Sequence, residues 1–273
     1  MNRRSQLLQQ QAREKMDELS THPVLSQFWT ELSLILKGST SRGNADRYSD
    51  IDLVFYASEA LRQSVVAAYH AQGLTDRTDG IFMFFDNGHY NLESFEHLAA
   101  YFEQKDYIHC WEIEHAIVLS DPAGRFAQIA REGQARLFEH PLEIVERAYL
   151  DLQLDLDWMR MPIARADSVA TFLHAAKLVQ GLCRMAYLLE GRSYPPDKWS
   201  AHYLSSTRWG RAHGKALRSY LQTCNQVNSL ALHRPFAESA LYREPAALIE
   251  AVGRSIRKTY GDQPWIETWW HYV

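Results

Sequence analysis

Two short polar sequences, one that ends an apolar run and one that opens the next, constrain this chain more than any other feature. Residues 34–56 read LILKGSTSRGNADRYSDIDLVFY, in which an apolar run ends at Gly38-Ser39 and a ten-residue polar stretch leads to a second apolar run. That second run opens with Asp50 and Asp52. Because side chains alternate between the two faces of a strand, both aspartates share one face and the apolar residues beside them point to the other. The pattern predicts two strands joined through a glycine turn, with paired carboxylates on the second.

Asp50 and Asp52 have the chemistry of a divalent-cation site. On one rigid face their carboxylates are expected about 7 Å apart, where they can bridge one or two cations, and hard oxygen ligands suit Mg²⁺. Two neighbouring carboxylates are costly to bury without a counterion, and a metal ion would remove that cost. The simpler interpretation is an edge strand that begins with two solvated aspartates.

Gly38 and Ser39 have the chemistry of a phosphate-binding turn. A glycine lets the backbone approach a phosphate closely, and the serine offers a hydroxyl and an amide donor. Arg42, in the loop that follows, adds positive charge. A Gly-Ser pair alone indicates only a turn. Its order and spacing relative to Asp50 and Asp52 are what point to a nucleotide.

The G-S-x10-D-I-D-L pattern resembles the nucleotidyltransferase superfamily that shares its catalytic fold with DNA polymerase beta. More narrowly, it is similar to the adenylyltransferases that modify aminoglycoside and lincosamide antibiotics. The resemblance implies a small mixed sheet with flanking helices, ATP as the nucleotide donor and Mg²⁺ as the cofactor. It also implies that Asp50 and Asp52 are catalytic metal ligands and that Gly38 and Ser39 contact the triphosphate.

The resemblance further implies a third acidic residue on a neighbouring strand, for which Glu93 is the predicted residue. It lies in the sequence HYNLESF, residues 89–95. If Leu92 faces the core, Asn91 and Glu93 face the metal side together. Glu93 then completes the metal shell or takes the proton of the acceptor hydroxyl. The family often has an acid at the place of Asn91, so the register stays open, and an exposed hairpin glutamate is the simpler interpretation.

Two lysines in the second half of the chain are predicted to contact the nucleotide. The sequence YPPDKW, residues 194–199, follows a helical stretch and resembles the C-terminal helical domain of small-molecule nucleotidyltransferases. In that domain a lysine reaches the nucleotide phosphates. The resemblance makes Lys198 the first candidate and Lys177 the second, and a solvated lysine beside a packed tryptophan is the alternative.

Strand patterns occur only in the first 120 residues, and this predicts an α+β chain of two domains. Besides the apolar strand that ends at Gly38-Ser39, the predicted strands are 51–56, 81–85, 89–95 and 113–119, and an Asn-Gly hairpin turn joins 81–85 to 89–95. The predicted helices are 4–19, one that begins after Thr21-His22-Pro23, 59–72, 125–138, 141–160, 168–190, 210–231 and 245–259. A nucleotidyltransferase domain is therefore predicted over 1–130 and an all-helical domain over 131–273.

Composition narrows the partners and the compartment. A net charge of −4 argues against a long nucleic-acid partner, which usually requires a basic surface. Three widely separated cysteines favour a reducing compartment over a disulfide framework or a structural zinc site. The polar N-terminus and the absence of a long apolar run predict a cytoplasmic protein without a membrane segment.

The function predicted from these features is Mg²⁺-dependent transfer of AMP from ATP to a hydroxyl of a small molecule, with release of pyrophosphate. An aminoglycoside-type antibiotic is the acceptor that the resemblance implies. One alternative is the same chemistry on a protein or a tRNA, as in toxin-type enzymes; a basic stripe favours it, formed by Arg208, Arg211, Lys215 and Arg218. The other is a non-catalytic nucleotide-binding module, and the presence of both aspartates argues against it.

Overall fold

The computed structural model describes residues 1–225 and 235–273. Their contacts divide the chain into two compact units, Met1–Leu137 and Phe138–Val273. All strands of the described residues lie in the first unit, and the second unit is helical, which confirms the predicted α+β class. None of the helices in the described residues is long and apolar enough to cross a membrane.

A five-stranded mixed sheet forms the centre of the first unit. Its strands are β1 (Ser33–Lys37), β2 (Ile51–Ala57), β3 (Phe82–Phe85), β4 (Gly88–Ser94) and β5 (Ile117–Ser120). The strand order is β3-β4-β2-β1-β5, so β3 and β5 are the two edges. β2 runs parallel to β4, and the remaining neighbours are antiparallel. The predicted hairpin joins β3 to β4, but its two turn residues are Asp86 and Asn87, and Gly88 is already the first residue of β4.

One face of the sheet carries the main hydrophobic core of this unit. On β1 and β2 the cross-strand pairs Leu34–Phe55 and Leu36–Leu53 point to this face. All four residues are buried in a cluster with side chains of the flanking helices. Period-two alternation therefore sends Asp52 and its same-parity neighbours to the opposite face.

Six α-helices flank the sheet. They are α1 (Arg3–Ser20), α2 (Gly38–Arg42), α3 (Glu59–Ala71), α4 (Phe95–Glu103), α5 (Tyr107–Glu114) and α6 (Arg125–Leu137). Helices α1 and α3 supply Leu8, Ala12 and Val65 to the core described above. On the opposite face, the buried ring of Tyr56 packs between Phe95 of α4 and Phe126 of α6. The carboxylate-bearing face is thus covered at one end by helices and open where β2 begins.

The second unit is a helical assembly. Its helices are α7 (Pro141–Trp158), α8 (Arg160–Ala164), α9 (Ser168–Leu188), α10 (Asp197–Tyr203), α11 (Arg208–Cys224), α12 (Ala240–Tyr260) and α13 (Pro264–Glu267). The four longest, α7, α9, α11 and α12, pack against one another. Buried residues such as Leu152, Leu182, Tyr220 and Val252 fill the space between them.

Three element predictions were wrong in part. The helix expected after Thr21-His22-Pro23 consists of two 3₁₀ turns, Leu25–Gln27 and Trp29–Glu31. The reason is that the Thr21 hydroxyl donates to Glu18 O, at the end of α1, and so does not cap a new helix. The Nδ1 atom of His22 accepts hydrogen bonds from the backbone amides of Val24 and Leu25 instead.

The strand expected over 113–119 begins only at Ile117, because residues before it belong to α5. Asp106 caps that helix by accepting a hydrogen bond from the backbone N–H of His109. The helix expected over 245–259 begins at Ala240, so Pro245 lies inside it. The helix expected over 210–231 corresponds to α11, and residues 226–231 of that prediction lie outside the described residues.

Candidate metal and nucleotide site

Asp50, Asp52 and His89, together called the metal group below, converge where β2 begins. One ligand atom from each lies within 4.8 Å of the other two, and among the described residues this is the group that could hold a metal ion. The Nε2 atom of His89 is 3.6 Å from a carboxylate oxygen of Asp52, and its Nδ1 atom is 3.9 Å from one of Asp50. Asp50 is exposed, while Asp52 and His89 are half-buried. The site therefore combines a protected inner carboxylate with an outer one that solvent reaches.

The parallel pairing of β2 with β4 places His89 in this group. Asp52 and His89 are direct register partners, so their side chains leave the sheet on the same face. The imidazole also stacks on the ring of Phe82, with centroids 4.7 Å apart and planes at 23°. His89 was missed in the sequence, although it has the same period-two parity as Asn91 and Glu93. That parity was the available signal.

Gly38 lies directly against Asp52. Its φ is +77°, a conformation that favours glycine, and a Cβ atom built there would overlap the Asp52 carboxylate. The predicted phosphate turn and the predicted metal ligand are thus in contact, with no room for a side chain between them. A phosphate bound at the turn would lie beside a cation bound at the acids.

A network of hydroxyl groups shapes the loop between the two strands. The Ser39 hydroxyl donates to the Ser49 hydroxyl at 2.8 Å, which donates in turn to Asp46 Oδ1 at 3.0 Å. Hydrogen bonds from the Tyr48 backbone N–H and then from the Ser49 hydroxyl lower the pKa of Asp46. The Thr40 hydroxyl donates to Asp50 O at 2.7 Å, which ties the short helix α2 to the start of β2. These bonds hold Ser39 and Asp50 in a fixed relation.

Glu93 lies on the same face but outside the group of three ligands. It lies four positions after His89 along β4, roughly 13 Å away in an extended strand, and its register partner is Tyr56. Its carboxylate accepts hydrogen bonds from the Asn91 amide at 3.1 Å and from the Tyr101 hydroxyl at 3.4 Å. Its role as metal ligand or base stays a prediction.

A buried lysine also belongs to this face. Lys37, the last residue of β1, is the register partner of Asp52 and is 8% exposed. Its Nζ atom lies 5.8 Å from the ring centroid of Tyr56. Burial, and after it the negative charge of Glu93, raises the pKa of the Tyr56 hydroxyl. Tyr56 therefore stays neutral, and the Lys37 ammonium group lies near its ring on the same face as the carboxylates.

The remaining predicted nucleotide contacts lie in different places. Arg42 ends α2, and its guanidinium lies over the Trp111 ring, 4.9 Å from the centroid. Lys198 is exposed on α10 and Lys177 is exposed on α9, both in the second unit. Lys177 is close enough to the half-buried Asp155 to favour its charged form, although burial outweighs this and raises the pKa of Asp155.

The donor set fits a divalent cation. Taking one ligand atom from each residue, the three atoms lie within 4.8 Å of one another. A metal bound at about 2.1 Å from each ligand atom holds its ligand atoms no more than roughly 4.2 Å apart, so small side-chain movements would close the group around an ion. Carboxylate oxygens suit Mg²⁺, while an imidazole nitrogen is a ligand that first-row transition ions such as Mn²⁺ also accept. Asp50, Asp52 and His89 would hold the ion.

One family model matches the part of the chain that carries this site. Residues 22–117, which include all of β1 to β4 and the first residue of β5, match the family model described as nucleotidyltransferase domain. No curated protein matches the chain at a significant level.

A crystal structure of a nucleotidyltransferase-like protein from Exiguobacterium sibiricum 255-15 is similar over 89% of this chain and 75% of that one, at 8% identity and a TM-score of 0.47. At that score the likeness adds no weight to the assignment. The family match covers the strands that carry the glycine turn, both aspartates and His89. Residues 22–117 are therefore similar in sequence to a nucleotidyltransferase domain.

Proposed function

We propose that this protein transfers AMP from ATP to a hydroxyl group of a small molecule, in a reaction that depends on a divalent cation. The observation that carries the proposal is the convergence of Asp50, Asp52 and His89 in direct contact with the Gly38 turn. Nucleotidyl transfer requires a metal group and a phosphate turn next to each other, because both must reach the phosphates of one nucleotide.

The reaction forms one bond and breaks one. The acceptor oxygen attacks the α-phosphorus of ATP in line, and the bond from that phosphorus to the pyrophosphate oxygen breaks. A bound divalent cation such as Mg²⁺ supplies Lewis-acid stabilisation of the phosphate oxygens. Gly38 admits the phosphate chain close to the backbone, and Ser39, held by Ser49, offers donors to the leaving pyrophosphate.

The acceptor hydroxyl must lose its proton to a base on the same face. Glu93 is the residue predicted from the sequence, and His89 is the residue that lies beside the two carboxylates. A general base has to reach the proton directly or through one water molecule. Asn91 lies between the two on β4 and donates to Glu93, so a water-mediated relay along this strand is the arrangement we propose if Glu93 acts.

Positive charge near the phosphates would complete the site. Arg42, Lys177 and Lys198 are proposed for this role on resemblance, and Lys37 on its position beside Asp52. The proposed acceptor class, an aminoglycoside-type antibiotic, rests on the similarity of the G-S-x10-D-I-D-L pattern to antibiotic adenylyltransferases.

Pyrophosphate release tests the proposal. The protein is incubated with ATP, with Mg²⁺ or Mn²⁺, and with a panel of aminoglycosides and lincosamides, and Kd for each metal is measured separately by titration. We expect release with at least one acceptor. Asp52→Asn should reduce release by about a hundred- to a thousandfold, because it removes a charge that faces the reacting phosphate. His89→Ala should weaken Mn²⁺ binding by at least about tenfold, since it removes a ligand.

His70→Ala, which removes an exposed histidine on α3, is the matched control and should leave both readouts unchanged. Turnover that persists in Asp52→Asn would contradict the metal mechanism. Metal-dependent ATP binding without release for any compound would contradict the small-molecule acceptor and turn the search to protein or tRNA acceptors.

A further inference from the structure

Two phenyl rings stand exposed beside the candidate site, on the edge strand β3. Phe82 is 40% exposed and Phe84 is 79% exposed, although both lie within a strand. Their alternate neighbours, Met83 and Phe85, pack against the main core. The sequence FMFF therefore places apolar side chains on both faces of β3, where a partly buried edge strand ordinarily carries polar residues on its outer face.

These rings share a face with the metal group. Phe84 is the register partner of His89, and Phe82 is the partner of Asn91. The centroid of Phe82 is 5.0 Å from that of Phe84 and 4.7 Å from that of His89. Phe82, Phe84 and His89 are thus one continuous aromatic surface that ends at Asp52. Because the Phe82 ring is stacked on His89, the Phe84 ring is the open part of this surface.

Strand order decides which reactant this surface faces. Going across the sheet, the Gly38 turn follows β1, the aspartates lie on β2, His89 lies on β4 and the phenyl rings lie on β3. In-line displacement places the acceptor and the leaving pyrophosphate on opposite sides of the α-phosphorus. With pyrophosphate on the β1 side, the acceptor approaches from the side of β4 and β3. Two strand spacings, roughly 10 Å, separate β2 from β3. An acceptor ring bound at β3 and a phosphate bound at β2 together span about this distance.

We infer that Phe82 and Phe84, here called the acceptor shelf, bind the acceptor through an apolar ring face. The inference rests on the proposed function and narrows its substrate class to a hydroxyl carried on or next to a flat ring. An aromatic ring and the C–H face of a sugar ring both offer this chemistry. Stacking on Phe84 then holds the ring while its hydroxyl reaches the metal group.

Equilibrium binding tests the shelf without relying on turnover. Saturation-transfer NMR is recorded on the full chain with benzyl alcohol, with methyl glucopyranoside and with the acyclic polyol sorbitol. We expect transfer to the ring protons of one or both cyclic probes and none to sorbitol, and the two cyclic probes distinguish an aromatic from a sugar acceptor. Transfer to neither ring, or equal transfer to sorbitol, would overturn the inference.

Variants locate the signal. Phe84→Ala should weaken probe binding about three- to tenfold, the usual contribution of one aromatic contact, while Phe84→Tyr should retain it. Val118→Ala is the matched control, since Val118 is 45% exposed on the opposite edge strand β5. Once an acceptor is found, Phe84→Ala should raise its KM by the same factor and leave the KM of ATP unchanged.

Three further outcomes would overturn the shelf. The first is equal probe binding in Phe84→Ala and the unchanged protein. The second is displacement of the probe by ATP with Mg²⁺, which would assign the two rings to the nucleobase. The third is a dimer that Phe84→Ala converts to a monomer, which would assign the rings to a second copy of the chain. Asp52→Asn separates this inference from the proposed function. It should reduce pyrophosphate release as stated above and keep probe binding, so failure of turnover leaves the binding result valid.

Discussion

At Gly38 the backbone passes so close to the Asp52 carboxylate that no side chain fits between them. The residue also has a positive φ, which costs an L-residue about 1–2 kcal/mol. The two constraints are independent, because one concerns the local conformation and the other a neighbour 14 positions away. A second glycine that has a positive φ but no atom near the position of an added Cβ can therefore separate the two effects.

Gly38→Ala is expected to lower the free energy of unfolding by more than 1–2 kcal/mol (roughly the conformational cost alone) and to weaken metal binding at least about tenfold, because the new methyl group displaces Asp52. Urea unfolding and a Mn²⁺ titration measure the two effects.

Gly73→Ala is the matched control. Gly73 has φ +66°, and no atom lies within 4 Å of the position that an added Cβ atom would take, so only the conformational cost applies and metal binding should be unchanged. Equal metal affinity in Gly38→Ala and the unchanged protein would show that Asp52 is not held by this contact.

Among single residues, the sequence identified those whose predicted role follows from a local pattern. Asp50 and Asp52 were recognised because two acids at alternate positions open an apolar run, and the structure places both in the group that could hold a metal ion. His89 was not recognised, because its role depends on β4 lying next to β2, a pairing between residues 37 positions apart. The register of that pairing also decides that Glu93 lies opposite Tyr56 and not opposite Asp52.

At the scale of elements, two helical glycines differ in what surrounds them. Gly133, in α6, lies against the ring of Phe102 in α4, and an added Cβ atom would overlap that ring. Gly214, in α11, has its nearest neighbours at 3.8 and 3.9 Å from an added Cβ atom, which is ordinary van der Waals contact. Helix propensity favours alanine at both positions, so only packing distinguishes them.

Gly133→Ala is expected to lower the free energy of unfolding by about 1–3 kcal/mol, the usual effect of overpacking. Gly214→Ala is expected to raise it by about 0.5–1 kcal/mol, because alanine loses less backbone entropy than glycine. Urea unfolding followed by far-ultraviolet circular dichroism measures both. Stabilisation by Gly133→Ala would mean that α4 and α6 do not pack as closely as described.

The element predictions succeeded where a pattern is local. The hairpin of β3 and β4 was predicted because Asn87-Gly88 lies between two apolar runs. The structure forms that hairpin, but its turn residues are Asp86 and Asn87, and neither has a positive φ. The predicted 113–119 strand began too early because α5 depends on the capping residue Asp106, whose hydrogen bond to the His109 N–H the apolar pattern does not show. The 3₁₀ turns after α1 likewise depend on the hydrogen bonds that the His22 ring accepts from the backbone amides of Val24 and Leu25.

At the scale of the whole molecule, all three cysteines are buried and unpaired. Burial raises the pKa of Cys110 to about 12, with the negative charge of Asp106 acting in the same direction. Burial also raises the pKa of Cys183 to about 11 and raises that of Cys224. Because the thiolate is the reactive form, about one Cys110 thiol in 10⁴ is ionised at pH 8.

We therefore expect a thiol reagent at pH 8 to modify the native protein at least about a hundredfold more slowly than the unfolded chain, in which three thiols should react. Reaction with and without denaturant, under non-reducing conditions, provides the measurement. Fast reaction of one thiol in the native protein would show that the helices around it open more readily than their packing indicates.

The sequence by itself determined the α+β class, the glycine turn, the paired aspartates and the helical second half, because each of these depends on residues that are close together in the chain. Only the tertiary structure decided that β4 pairs with β2 in parallel, that His89 joins Asp50 and Asp52, and that Phe82 and Phe84 stand beside them. The physical reason is that a period-two pattern fixes which residues of a strand share a face, but not which strand becomes its neighbour or in which register. The neighbouring strand and its register depend on how the apolar surface of the whole domain is buried.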